Sequence, residues 1–120
     1  MKLSEQVTTV ETSRKLLAAG VDCHAAFCWS PAGSLLGTDK LSAMPPRAAG
    51  EHIPAFTAPE LMDGTGINLR QYFDVVSGWT WCARVRTGGN RQRLKYDPNP
   101  ADAVAALILA QFAVEAPDAT

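Results

Sequence analysis

Reactive side chains are scarce in this sequence. It has two histidines, His24 and His52, and three cysteines, Cys23, Cys28 and Cys82. "CHAAFC", residues 23–28, raises the idea of a zinc site completed by His52 or Cys82. On a strand, however, Cys23 and Cys28 point to opposite faces, and tetrahedral zinc needs converging ligands. No metal and no cofactor are therefore expected. A phosphate-binding glycine loop and a GxSxG elbow are both missing, and "GTG", residues 64–66, reads as a plain turn. A cysteine–histidine pair formed across the fold is invisible in sequence, and nothing local points to one. Asp22, Glu60 and Asp74 read as turn, cap and surface residues. No catalytic residues are expected.

Long apolar runs are missing too. None approaches the ~18 residues of a membrane span, and "MKLSEQVTTVETSRK" has no apolar signal core. Together with an odd cysteine count this predicts reduced thiols, no membrane contact and a cytoplasmic location. The net charge is −1, so any attraction to a polyanion has to be local.

What is present fits one domain over residues 1–120. A first helix is expected from Thr9 to Ala19, with Thr8 and Glu11 as a capping box, Val7, Val10 and Leu17 as its apolar stripe, and Gly20 as its stop. Residues 21–29 read as a strand with Cys23, Ala25, Phe27 and Trp29 on one face. A turn at 30–34 leads to a short partner strand beginning at "LLG". Residues 37–52 read as a long irregular loop, because Pro45 and Pro46 interrupt any helix. Thr57 and Glu60 form a second capping box, with Pro59 in the first turn of a helix that Gly64 ends. Strands follow at 67–76 and 79–86, separated by a Ser77-Gly78 turn, and a return strand at 91–96. The last helix is capped by Asn99 and opened by Pro100, with Asp102 in its first turn. It has no charge from Ala103 to Ala110, as a buried helix would, and the tail at 116–120 is expected to fray. The fold class is α+β: a mostly antiparallel sheet of four or five strands with the terminal helices on one face.

The hairpin around Thr87-Gly88-Gly89-Asn90 carries the most pointed signal. A two-residue loop at Gly88-Gly89 pairs Arg86 with Arg91, Arg84 with Arg93, and Cys82 with Lys95. Trp79, Trp81, Ala83, Val85, Leu94 and Tyr96 then share the other face. Arg70 adds to the basic side from the neighbouring strand. Like charges directly opposite destabilise a sheet, by a fraction of ~1 kcal/mol per pair. An anion would relieve that repulsion, and the planar guanidinium fork suits phosphate and carboxylate. A solvated sheet face or a charged edge that deters aggregation gives the same pattern. In this register the aromatic residues lie away from the arginines, which disfavours single-stranded nucleic acid.

Several segments together carry a resemblance: "SRKLLAAGV" (13–21), "AFCW" (26–29), "IPAFTAPEL" (53–61), "WTWCARV" (79–85) and "DPNPADAVAALIL" (97–109). In this order the chain resembles a group of small uncharacterised proteins encoded by bacteriophages and prophages. It departs from them at residues 37–52 and in the arginine-rich hairpin. The resemblance implies a phage accessory protein that acts in the cytoplasm of a bacterial host cell and binds rather than catalyses, some such proteins countering host defence. The expected ligand is an anionic, nucleotide-type signalling molecule. Arg84, Arg86, Arg91 and Arg93 would contact phosphate, Lys95 and Arg70 would support them, and a base would stack on Trp29. Enclosing such a ligand is a task two copies of the chain can share. The alternative is an interaction module that docks on an acidic host protein through the hairpin or the 37–52 segment.

Overall fold

A computed structural model describes residues 2–21, 24–76, 78–88 and 91–115, with residues 87, 88 and 112–115 as backbone only. Cys23, the Ser77 half of the expected turn, Gly89-Asn90 of the hairpin turn and the 116–120 tail lie outside the described residues.

The architecture is α+β, with two three-stranded antiparallel sheets and helices packed against them. After a single 3-10 turn at Leu3–Glu5, helix α1 runs over Val10–Ala18. Its cap is Thr9, whose hydroxyl accepts from the Thr12 amide at 3.3 Å, and not Thr8 as the capping-box pattern suggested. Thr8 is committed elsewhere. It is fully buried, exchanges hydrogen bonds with the Phe56 backbone at 2.8 and 3.1 Å, and touches the Ser13 hydroxyl at 2.7 Å. The buried side of α1 is Leu16 with Ser13, while Leu17 is exposed. Gly20 ends the helix in the left-handed region at φ 81°.

The first sheet has the order β2-β1-β3, from β1 (Phe27–Trp29), β2 (Leu35–Gly37) and β3 (Ile53–Ala55). The expected strand over 21–29 is therefore confined to its last three residues. Strand β3 was not foreseen, because Pro54 sits at its centre. An edge strand tolerates a proline, since one side of it needs no ladder donor. The supposed loop at 37–52 is also structured. A 3-10 segment spans Thr38–Ala43, and a short helix α2 spans Pro46–Gly50. Proline opens α2 instead of preventing it, because an amide in the first turn has no intrahelical partner to lose. Helix α3 covers Ala58–Met62 with the Thr57–Glu60 capping box formed as the sequence indicates. The second oxygen of Glu60 accepts from the Ala26 amide at 2.8 Å and ties α3 to the start of β1.

The second sheet has the order β4-β5-β6, from β4 (Asn68–Asp74), β5 (Gly78–Gly88) and β6 (Arg91–Asp97). Helix α4 (Pro100–Glu115) is capped by the Asn99 side chain, which accepts from the Ala101 and Asp102 amides at 2.9 and 3.2 Å. The Asn99 amide group also donates to the Val7 carbonyl at 2.8 Å. The Asp102 carboxylate accepts from the Thr9 amide at 3.0 Å, so the N-termini of α1 and α4 share their caps. One hydrophobic cluster joins Leu16, Phe56, Leu61 and Ile67 to Ala83 and Val85 of β5 and to Val104, Leu107 and Ile108 of α4. No helix among the described residues is long and apolar enough to cross a membrane.

Candidate functional site: the uncovered face of the second sheet

Helix α4 packs on β5 and β6 from one side only. Side chains alternate along a strand, so the pairing decides which residues α4 covers. Here the structure corrects the expected register. Arg86 faces Gln92, Arg84 faces Leu94, Cys82 faces Tyr96, and Val85 and Ala83 face Arg93 and Lys95. The tip pairing joins Gly88 to Arg91, and a bulge between Arg86 and Gly88 leaves a net slip of one residue. The slip has a physical reason. It places no like charges directly opposite one another, which the expected pairing did twice.

The five basic residues of the hairpin are therefore divided. Arg93 and Lys95 belong with Ala83 and Val85 on the side facing α4, and the alternation of β6 puts Arg91 there too. Arg93 is half-buried and donates to the Ala110 carbonyl of α4 at 3.3 Å. Its charge is used within the fold, and its stem lies against the apolar face. Trp29 stands in the first sheet, half-buried, with its indole N–H donating to the Thr8 carbonyl at 2.8 Å. It does not join the hairpin residues.

Arg84 and Arg86 remain together on the uncovered face. Strand β4 brings Arg70 level with Cys82, and Asn68 level with Arg84. The face can be read as a series of cross-strand rows. Tyr72 and Thr80 form the first, and Arg70, Cys82 and Tyr96 the second. Asn68, Arg84 and Leu94 form the third, and Arg86 and Gln92 the last. Arg70 and Arg86 are exposed and Arg84 is half-buried. Among the described residues none of the three is ion-paired; the ion pair found there is Glu11 with Lys15, at 3.5 Å on α1. Asp74, at the far end of β4, directs its carboxylate to the Val76 amide at 2.7 Å.

Two tyrosines share this surface, against the expectation that aromatic rings lie on the other side. Tyr96 is 61 % exposed and Tyr72 is 40 % exposed, whereas Cys82 between their strands is buried. The neighbouring Cys82 side chain pushes the Tyr96 phenol above its ordinary pKa. Two depressions open on this surface among the described residues. One, of about 290 Å³, is lined by Asn68, Arg84, Val85, Arg86 and Gln92. The other, of about 430 Å³, is lined by Tyr72, Phe73, Asp74, Thr80 and Tyr96. The result is a basic hollow at one end of the sheet and an aromatic hollow at the other. Tyr72 was legible in advance, because its two-residue spacing from Arg70 puts both on one face. Tyr96 was hidden by the register.

Elsewhere the chemistry is committed or sparse. A depression of about 370 Å³ is lined by His24, Pro59, Glu60 and Asp63. Both oxygens of Glu60 already accept backbone hydrogen bonds there. Cys28 is buried, and burial pushes its thiol up, away from thiolate reactivity. Among the described residues no group of three or more potential ligands converges as a metal site would require.

No protein-family model matches the chain, nor does any curated protein or solved structure. The fold and the site thus define the class on their own: an α+β protein with one sheet face left open, basic at one end and aromatic at the other.

Proposed function

We propose that the chain is a non-enzymatic binding protein. Its ligand is anionic and nucleotide-like, and it is held on the open face of the second sheet. Arg84 and Arg86 contact phosphate from the basic hollow, and Arg70 extends the contact across β4. The supporting observation is the placement of three guanidinium groups, none of them ion-paired among the described residues, on the face opposite the one α4 packs on. Arginine forks on such a surface match phosphate oxygens two at a time. The phage setting and a role in countering host defence rest on the sequence resemblance and belong to the same proposal.

The test is thermal unfolding against nucleotides, cyclic oligonucleotides and ADP-ribose derivatives, beside the variant Arg84→Gln/Arg86→Gln. A ligand at ~100 times its dissociation constant adds ~2.7 kcal/mol of stability. A rise in Tm of several degrees that the variant lacks supports the reading. An equal rise in both proteins contradicts it.

A second reading, docking on a host protein, draws on one observation. Phe73 and Trp79 are 62 % and 63 % exposed and meet edge to face at 5.2 Å, beside the almost fully exposed Val75 and Val76. Together they form an apolar knuckle at the β4–β5 turn, beyond the reach of α4, of the kind that marks interaction surfaces. Val75→Ser/Val76→Ser abolishes partner capture without lowering Tm if the knuckle is the contact. Unchanged capture removes this reading.

A further inference from the structure

We infer that the ligand of the open face is a single-stranded oligonucleotide, with one base stacked on Tyr96 and a phosphate further along the strand held by Arg84 and Arg86. This rests on the proposal that the face binds an anion, and it names the anion.

The rows of the sheet set the length of the ligand. Side chains two residues apart on one face are separated by ~6.8 Å. Arg86 therefore lies about 13 Å along β5 from Cys82, the residue opposite Tyr96. A nucleoside monophosphate stacked on Tyr96 reaches Arg84, one row along, and stops short of Arg86. A chain of two or more nucleotides spans the distance, with Arg70 and Asn68 beside its path.

The aromatic hollow decides between a nucleotide chain and other polyanions. An acidic peptide or polyphosphate has no use for two exposed tyrosines, whereas a base does. Stacking on an aromatic ring accepts any base, and a basic groove follows the backbone. Tyr96 is suited to this. It is 61 % exposed, so its ring is open to a base from solvent. Asn68, Gln92 and Thr80 supply neutral donors and acceptors for base edges or sugar hydroxyls. A duplex is excluded by the same geometry. Its bases are stacked on each other and offer only their edges in the grooves. The net charge of −1 gives little long-range attraction. Stacking therefore has to supply much of the affinity, and the salt dependence has to be shallow.

The probes are a fluorescein-labelled thymidine octamer and a uridine octamer, followed by anisotropy over a range of salt concentrations. Competitors are the matching duplex, thymidine monophosphate, inorganic triphosphate and an oligoglutamate peptide. The inference expects an octamer to bind, with a log–log salt slope of about −2 for three phosphate contacts. Tyr96→Ala then weakens binding roughly 5- to 100-fold, as loss of one stacked base does. Tyr96→Phe restores it, and Arg84→Gln makes the slope shallower by about 0.7. Lys95→Ala, on the opposite side, changes the slope little. Unfolding curves of each variant separate lost binding from lost folding. If triphosphate or oligoglutamate competes as well as the octamer and Tyr96→Ala has no effect, the oligonucleotide is wrong while the anion site stands. Duplex binding as tight as the octamer also overturns the inference. If no probe binds at all, the anion site falls with it.

Discussion

Cys82 and Tyr96 stand directly opposite each other across β5 and β6, on the side of the sheet that α4 leaves open. This pairing fixes the composition of both faces. It places Arg84 and Arg86 with Tyr96 and Tyr72, and it sends Arg93 and Lys95 towards α4.

The pairing can be tested by crosslinking. Directly opposed Cα atoms in an antiparallel pair are about 4.5–5.5 Å apart, within disulfide range. Tyr96→Cys is expected to form a disulfide with Cys82 under mild oxidation, seen as the loss of two thiols by mass spectrometry. Lys95→Cys is expected not to, because its side chain leaves from the other face. The opposite result restores the register in which Cys82 faces Lys95.

The sequence made the ends of elements more legible than their partners. Asn99 and Pro100 announced α4, and Thr57 with Glu60 announced α3, because a cap is a contact between residues a few positions apart. The first cap failed for a non-local reason. Thr8 and Thr9 are both plausible caps, and only the Phe56 backbone, 48 residues away, claims Thr8. Alternation in β5 was equally legible, but alternation does not set register. The run Thr87-Gly88-Gly89-Asn90 allows more than one turn, and the bulge next to it shifts the pairing by a residue. The basic character of the site was therefore visible in advance. Tyr72, in step with Arg70, was visible too; Tyr96 and the division of the basic residues between two faces were not.

Thr8 supplies the second prediction. Its hydroxyl bonds to the Phe56 amide and to Ser13 in a fully buried position. Thr8→Val keeps the shape and leaves the Phe56 amide unsatisfied, while Ser13 keeps its bond to the Thr8 carbonyl at 3.3 Å, at a cost of about 1–3 kcal/mol. Chemical denaturation is expected to show a lower midpoint with an unchanged slope. A midpoint equal to the parent's removes the network from the account of stability.

Asp102 gives a pH dependence. Burial raises its carboxyl pKa above 3.8 and Asp97 adds to the rise, while bonds from the Thr9 amide and from the Thr12 and Thr9 hydroxyls oppose it. A group with a raised folded pKa holds its proton more tightly in the folded state. Its contribution is present below the unfolded pKa and is lost as pH rises through the folded value. Asp102→Asn keeps an oxygen for the Thr9 amide and removes the titration. The variant is expected to gain on the parent as pH rises from below 3.8 through the raised folded pKa, read from urea unfolding at each pH. A difference that stays constant or shrinks over that interval contradicts the assignment.

The central claim is that the open face of the second sheet, and not the side facing α4, takes the anion. The most direct measurement is an amide chemical-shift titration of the isotope-labelled protein with the thymidine octamer. Shifts concentrated at Arg70, Arg84, Arg86 and Tyr96, with Ala110 and the rest of α4 unmoved, are the predicted result. Shifts concentrated at Arg91, Arg93 and Lys95, or at the Phe73–Trp79 knuckle, would contradict it.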